Sequence, residues 1–411
     1  MRTTRRDFVK KASLAAGALA AGDLPAVHAR GREPAITAGL IGCGGRGTGA
    51  AADFLNSAPN VRIVALGDVF KDRVDNARRQ LARYASFQVD DDHSFVGLDA
   101  YRKVLESGVD LVILATPPGF RPLHFAAAVE AGKHVFMEKP VCVDAAGARR
   151  VLEAGRKARE KRLAVVAGTQ RRHQKGYQET VKAIHDGAIG EIVAGCCYWN
   201  QGGLWVHPRR EEWTDLQWQL RNWYYFTWLS GDHIVEQHIH NIDVMNWVLR
   251  AHPVRATAVG GRQVRVAPEY GHIYDHFGVD FEYPGGVHVL SMCRHWPGTP
   301  GAVREFVVGT RGKSNAATYA GEFRAGGGGR NPYVQEHADL VESIRKGEPL
   351  NEAQQVVESS FSAVLGREAA YTGQTVSWDD LWNSDQDLMP PNLDWNMKLE
   401  VPPVPLPGKR T

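Results

Sequence analysis

Ala35-Ile36-Thr37-Ala38-Gly39-Leu40-Ile41-Gly42-Cys43-Gly44-Gly45-Arg46-Gly47 is the stretch from which the rest of the chain can be read. The apolar run is strand-length, and it passes directly into G-x-G-x-x-G and then into the small residues Ala50-Ala51-Ala52. A glycine turn between a buried strand and a close-packed helix brings bare backbone and a helix N-terminus up to a pyrophosphate. Gly42, Gly44, Gly45, Arg46 and Gly47 are therefore candidate contacts to a dinucleotide. A second strand over 61–67 ends on Asp68, 21 residues after Gly47, where a carboxylate can bond an adenosine ribose. Asp68 would repel a 2′-phosphate, which favours NAD over NADP, with Lys71 and Arg73 pulling the other way.

A third run, 109–116, breaks at Pro117-Pro118, so Thr116 and Pro117 should sit at the edge of the same crevice. A helix through 124–131 follows, with His124 read as structural. The next run is His134-Val135-Phe136-Met137-Glu138-Lys139-Pro140. Pro140 cannot donate to a further ladder, so the strand stops and delivers Glu138 and Lys139 to the carboxyl edge of a parallel sheet. Alternating strands and helices with near-continuous apolar strands predict an α/β dinucleotide-binding domain of Rossmann type over 35–168.

Beyond it the texture changes. Candidate strands at 192–199, 254–260, 277–283, 287–293 and 305–308 follow one another through short turns, which predicts an α+β domain with a mainly antiparallel sheet over 169–375. Between the first two of these strands lies a tryptophan-rich insertion, and Trp199, Trp205, Trp213, Trp218, Trp223, Trp228 and Trp247 fall in it or at its margins. As a set they suggest a wall on which sugar rings can stack. A helix over 233–248 would place His233, Glu236, His240 and Asp243 on one face, with His238 pointing elsewhere. A satisfied polar core and a metal site are alternatives, but the helix lacks HExxH. The preferred reading is a proton-transfer pair, with Glu236 orienting His240. Arg172, His173 and Tyr198 are secondary candidates for lining the cleft.

The chain opens with Thr4-Arg5-Arg6-Asp7-Phe8-Val9-Lys10 and an alanine-rich stretch, which predicts a twin-arginine export signal over 1–29 and a periplasmic or otherwise exported protein. Loss of that segment takes the formal charge from +3 to zero, leaving no electrostatic case for nucleic acid. No stretch is long and apolar enough to span a membrane stably. Five cysteines without paired CxxC spacings indicate neither a disulfide framework nor zinc. The end of the chain, 376–411, is proline-studded and reads as an extended arm.

Together, Gly42–Gly47, Asp68, Glu138-Lys139-Pro140, the Gly187-Ala188-Ile189-Gly190 turn and the helix with His240 and Asp243 resemble the Gfo/Idh/MocA oxidoreductases, which include glucose-fructose oxidoreductase and inositol dehydrogenases. The resemblance implies that Lys139 binds the reacting hydroxyl and that His240 is the acid/base. The family's aspartate four residues earlier is Glu236 here, a departure that keeps the carboxylate. It further implies a carbohydrate or cyclitol substrate, an NAD cofactor and a homo-oligomer. Arg172, Tyr198, Glu236 and Asp243 would then line the substrate side, without a metal. The expected activity is oxidation of a secondary hydroxyl with tightly retained NAD. NAD-dependent glycoside cleavage through a transient ketone, or sugar binding without catalysis, are the alternatives.

Overall fold

The computed structural model describes residues 34–316 and 329–408. The expected export segment and most of the glycine run 326–329 lie outside them. The first sheet is built from β1 (Ile36–Ile41), β2 (Val61–Asp68), β3 (Ser94–Val96), β4 (Leu111–Leu114), β5 (His134–Met137) and β6 (Val165–Ala167), in the order β3-β2-β1-β4-β5-β6. Every neighbouring pair is parallel. β4 is buried at all four positions, as expected of a strand covered on both faces. The strand order reverses between β1 and β4, so their carboxyl ends diverge and open a crevice.

The second sheet contains β7 (Ile192–Gln201), β8 (Arg255–Gly261), β9 (His276–Tyr283), β10 (Val287–His295), β11 (Ala302–Gly309), β12 (Gly312–Ser314) and β13 (Val376–Ser377), in the order β12-β11-β7-β10-β9-β8-β13. All of its pairs are antiparallel except β7 with β10. The protein therefore combines a Rossmann domain with an α+β domain whose sheet is mainly antiparallel.

Two features depart from the sequence reading. The helix Pro332–Lys346 falls within the stretch assigned to the second domain, yet its buried Leu340 and Val341 join the core of the first sheet. Its His337 ring packs on Phe136 of β5. The single helix expected over 233–248 is two, His233–Glu236 and Ile239–Leu249. An unbroken helix would pass the Glu236 carbonyl to the His240 amide. Here Lys139 Nζ donates to that carbonyl at 2.6 Å, and the His240 amide turns to the Gln237 carbonyl at 3.4 Å. Asp232 precedes the break at φ +78°, held by Tyr274 N at 2.8 Å and Tyr371 Oη at 2.5 Å.

A third apolar cluster stands apart from the two sheet cores. It joins the tryptophan-rich insertion to Val69, Phe70 and Leu98 of the nucleotide domain and to the stretch 388–399 near the chain end. Gly119 permits the docking: a Cβ there would lie 2.0 Å from the Trp228 carbonyl oxygen.

Candidate active site

A cleft of about 1100 Å³ runs along the carboxyl ends of β1, β2, β4 and β5 and beneath the second sheet. At its floor is the glycine turn. A Cβ on Gly47 would meet the Gly42 carbonyl oxygen at 1.8 Å, so this residue must be glycine for the turn to close. Gly44 and Gly45 have the opposite character: both line the cleft, and a Cβ on either would meet nothing within 4 Å. The space belongs to whatever approaches their backbone. Gly45 also begins the helix Gly45–Leu55, whose N-terminus has no side-chain cap. Open backbone and uncapped N–H groups facing a cleft are the chemistry of a diphosphate site, so these residues fit a dinucleotide.

Asp68 at the end of β2 lines the same cleft. It accepts from Cys43 N at 2.7 Å and Phe70 N at 2.9 Å, tying the glycine turn to the second strand. Burial raises its pKa against the pull of those two N–H groups. Thr116 and Pro117 border the cleft after β4. The buried Arg121 donates to the Thr116 carbonyl at 2.7 Å, and His124 Nδ1 lies 3.2 Å from the Thr116 hydroxyl. His124 stacks against Tyr101 at 4.3 Å, and burial followed by the Arg121 charge lowers its pKa to about 3.

At the end of β5 the charges are paired. Glu138 Oε1 accepts from Arg46 Nε at 2.6 Å, so the glycine turn is bound to the strand that carries the lysine. Lys139 Nζ meets Glu236 Oε1 at 3.0 Å in addition to the Glu236 carbonyl. Both side chains are about a tenth exposed. Lys139, Glu236 and His240 all line the cleft. His240 stacks on Trp199 with ring centroids 5.6 Å apart and 25° between planes. Its ring makes no hydrogen bond among the described residues. Burial, then the charges of Lys139, Arg171 and Arg46, hold its pKa well below the ordinary 6.5.

Several sequence expectations are corrected by this geometry. Glu236 makes no hydrogen bond to His240 among the described residues: its Oε1 meets the Lys139 ammonium, and its buried Oε2 has no hydrogen-bond partner. Asp243 and Arg172 do not line the cleft: Asp243 is buried, accepts from Arg172 Nε and Nη2 at 2.9–3.0 Å and from Ser359 Oγ at 2.7 Å. Tyr198 alternates with Trp199 along β7, and where Trp199 enters the cleft Tyr198 lies on the other face beneath Arg304. His173 pairs with Asp339 and Glu352, which outweigh burial and lift its pKa to about 10. His233 is fully buried against Phe277 and His295. Of the seven tryptophans, Trp199, Trp205 and Trp223 face the cleft, while Trp218 and Trp228 are core of the third cluster.

Sequence reasoning missed Met389, Pro390, Asn392 and Leu393, which come from the proline-studded end and line the cleft. No group of three or more His, Cys, Asp or Glu among the described residues is placed to hold a metal, and no described helix is long and apolar enough to cross a membrane.

Comparison with known proteins agrees with the folds of both domains. Residues 36–167 match the oxidoreductase family, NAD-binding Rossmann fold, and residues 177–314 match the GFO/IDH/MocA C-terminal domain. The 2,7-anhydro-N-acetylneuraminate hydratase of Escherichia coli K12 is 28% identical over 330 residues, 77% of each chain. An inositol 2-dehydrogenase of Salmonella paratyphi B is also 28% identical, over 52% of this chain, so the match spans about half (54%) of that protein's length. The crystal structure of scyllo-inositol dehydrogenase from Lactobacillus casei with bound NAD(H) and scyllo-inositol superimposes with a TM-score of 0.65 at 17% identity, covering 84% of this chain and 99% of that one. With the two matched segments taking up well over half its length, the chain belongs to the GFO/IDH/MocA family of NAD-binding oxidoreductases.

Proposed function

We propose that this protein is an exported oxidoreductase that removes hydride from a secondary hydroxyl of a sugar, cyclitol or glycoside and retains its NAD between turnovers. The observation that carries the reading is the convergence of Lys139 and His240 on one cleft whose floor is the open Gly44–Gly45 backbone. Bound there, a nicotinamide dinucleotide supplies the hydride acceptor. The imidazole of His240, kept uncharged by its surroundings, takes the hydroxyl proton of the substrate. The ammonium of Lys139 stabilises the negative charge that develops on the same oxygen. Glu236 fixes Lys139 from the far side through its carbonyl and its carboxylate. Trp199 sets the plane of the His240 ring, the task the sequence had given to a carboxylate. Asp68 favours NAD over NADP by its charge.

A redox-neutral variant of this chemistry is favoured by one observation: the relative matched over 77% of its length is named a hydratase, not a dehydrogenase. Transient oxidation followed by return of the hydride would serve an exported enzyme, which meets little free nucleotide.

Mass spectrometry of denatured protein tests the cofactor: NAD is expected to be released, and recovery of mainly NADP would overturn the assignment. Incubation with candidate glycosides then separates the two chemistries, a free ketone product supporting net oxidation and a cleaved or hydrated product supporting the redox-neutral course. For export, replacing Arg5 and Arg6 together by Lys is expected to hold the protein in the cytoplasm. Unchanged periplasmic levels would remove that part of the reading.

A further inference from the structure

We infer that residues 388–399 and the tryptophan-rich insertion form a roofed subsite for the adenosine half of the dinucleotide, closed by the chain's own C-terminal stretch. The inference rests on the reading of the cleft as a dinucleotide site. Asp68 marks the ribose position, and the cleft continues past it along Val69, Phe70 and Leu98. Met389, Pro390 and Leu393 line the same cleft, and Met389 and Leu393 share an apolar cluster with Val69, Phe70 and Leu98. A planar base fits such a slot, because both of its faces can pack on apolar side chains while its edge stays near the opening.

The stretch is held on both sides of the residues that line the cleft. Before them, the Gln386 carbonyl accepts from Ala146 N at 3.0 Å and Leu388 N donates to Asp144 Oδ2 at 2.8 Å, both at the N-terminus of a nucleotide-domain helix. After them, Leu399 N donates to Asp215 Oδ2 at 3.2 Å and the Leu399 carbonyl accepts from Gln219 Nε2 at 3.0 Å, both on the insertion. The insertion is bound in turn to the nucleotide domain. Arg221 pairs with both oxygens of Asp72 at 2.9 and 3.1 Å and lies 3.9 Å over the Phe70 ring. Trp395 meets Phe70 with ring centroids 6.2 Å apart.

None of the hydrogen bonds and ring contacts that hold 388–399 reaches Lys139 or His240. A nucleotide cannot leave by the adenosine end without displacing 388–399, which gives the cofactor a slow exit for a structural reason. This assigns the C-terminal stretch to cofactor binding, and it gives most of the tryptophans a place in the roof and not in a sugar wall.

The test uses the full chain and three probes: NAD, AMP and nicotinamide mononucleotide. Replacing Met389 and Leu393 together by Ala is expected to speed NAD dissociation by about tenfold and to weaken AMP to a similar degree, in line with the loss of two apolar contacts. Nicotinamide mononucleotide affinity is expected to stay within about twofold, since that probe does not reach the roof. Equal weakening of both mononucleotides, or an unchanged NAD dissociation rate, would overturn the inference. Hydrogen exchange on the unaltered protein decides the matter if the double variant does not fold: NAD and AMP should each protect 388–399, and absence of protection by either counts against the roof. An Asp68→Ala variant separates this failure from failure of the cofactor reading. If Asp68→Ala weakens NAD while the roof variant does not, the roof alone is wrong; if the unaltered protein binds no NAD, both are wrong.

Discussion

The lysine end and the roofed end of the cleft differ in how their charged groups are partnered and in how much apolar wall surrounds them. At the lysine end charges meet charges: Arg46 with Glu138, and Lys139 with Glu236. His240 is left there with an aromatic neighbour and, among the described residues, no hydrogen bond to its ring. At the roofed end Val69, Phe70, Leu98, Met389, Pro390 and Leu393 supply apolar wall between charged residues such as Arg73 and Asp99, and Asp68 has each oxygen committed to a backbone N–H. On the proposed reading, proton transfer and charge stabilisation belong to one end and retention to the other. Changes at the lysine end should alter the rate of the chemical step, whereas changes under the roof should alter how long the nucleotide stays.

The largest effect should come from removing either group proposed to meet the substrate oxygen. His240→Ala and Lys139→Ala are each expected to slow single-turnover reduction of bound NAD by a factor on the order of 10²–10⁴, with NAD still bound and the fold intact. Absorbance of the reduced nicotinamide after rapid mixing with substrate reads this directly. Normal hydride transfer in folded His240→Ala protein would dissolve the division between the two ends.

How much of this division was legible in the sequence depends on the kind of contact involved. The parallel sheet and the glycine turn were readable because local patterns fix them: apolar runs, glycines where no side chain fits, and Asp68 at a set interval. Lys139 was readable because Pro140 ends its strand. The partner of Glu236 was not. The polar residues of 233–248 recur at helical spacing with no Gly or Pro between them, so nothing local announces the break. It comes from Lys139, 97 residues earlier in the chain, capturing the Glu236 carbonyl and carboxylate. Arg172 and Asp243 were misplaced for a similar reason, since each found the other. The stretch 388–399 has no periodicity to read, and only its packing against Phe70 and the insertion gives it a place in the cleft.

A smaller effect is expected from Glu236→Gln. The amide keeps an acceptor oxygen for Lys139 Nζ and leaves the main-chain bond in place, but it removes the opposing charge from a pair about a tenth exposed. Loss of one charge-assisted bond in such a site is worth about tenfold in rate. The test is the same single-turnover measurement, with the NAD dissociation rate followed in parallel. Slowing of the chemical step with unchanged dissociation sharpens the contrast between the two ends. Faster dissociation without slowing would show that Glu236 serves retention.

The smallest effect concerns pH and Trp199. Burial is the foremost cause of the lowered His240 pKa, followed by the charges of Lys139, Arg171 and Arg46. A histidine lowered in this way is uncharged at neutral pH and able to accept a proton. The rate of hydride transfer from substrate should therefore stay level as pH falls through 6.5, the ordinary value, and drop only when the lowered pKa is reached. The same group costs stability in that acid range, because the unfolded chain binds the proton at about 6.5 while the folded protein refuses it. Trp199→Phe keeps an aromatic face for His240 but shortens the wall and admits water beside the imidazole. Its pKa should then rise toward 6.5, moving the acid limb of the rate profile upward. At pH 7 the change in rate should be no more than about twofold, because His240 would still be mostly uncharged. The measurement is the pH at half-maximal single-turnover rate in the two proteins, over a range in which both remain folded. A limb at the same pH in both would mean that Trp199 neither shields nor orients His240, and that the nearby cations alone keep the imidazole neutral.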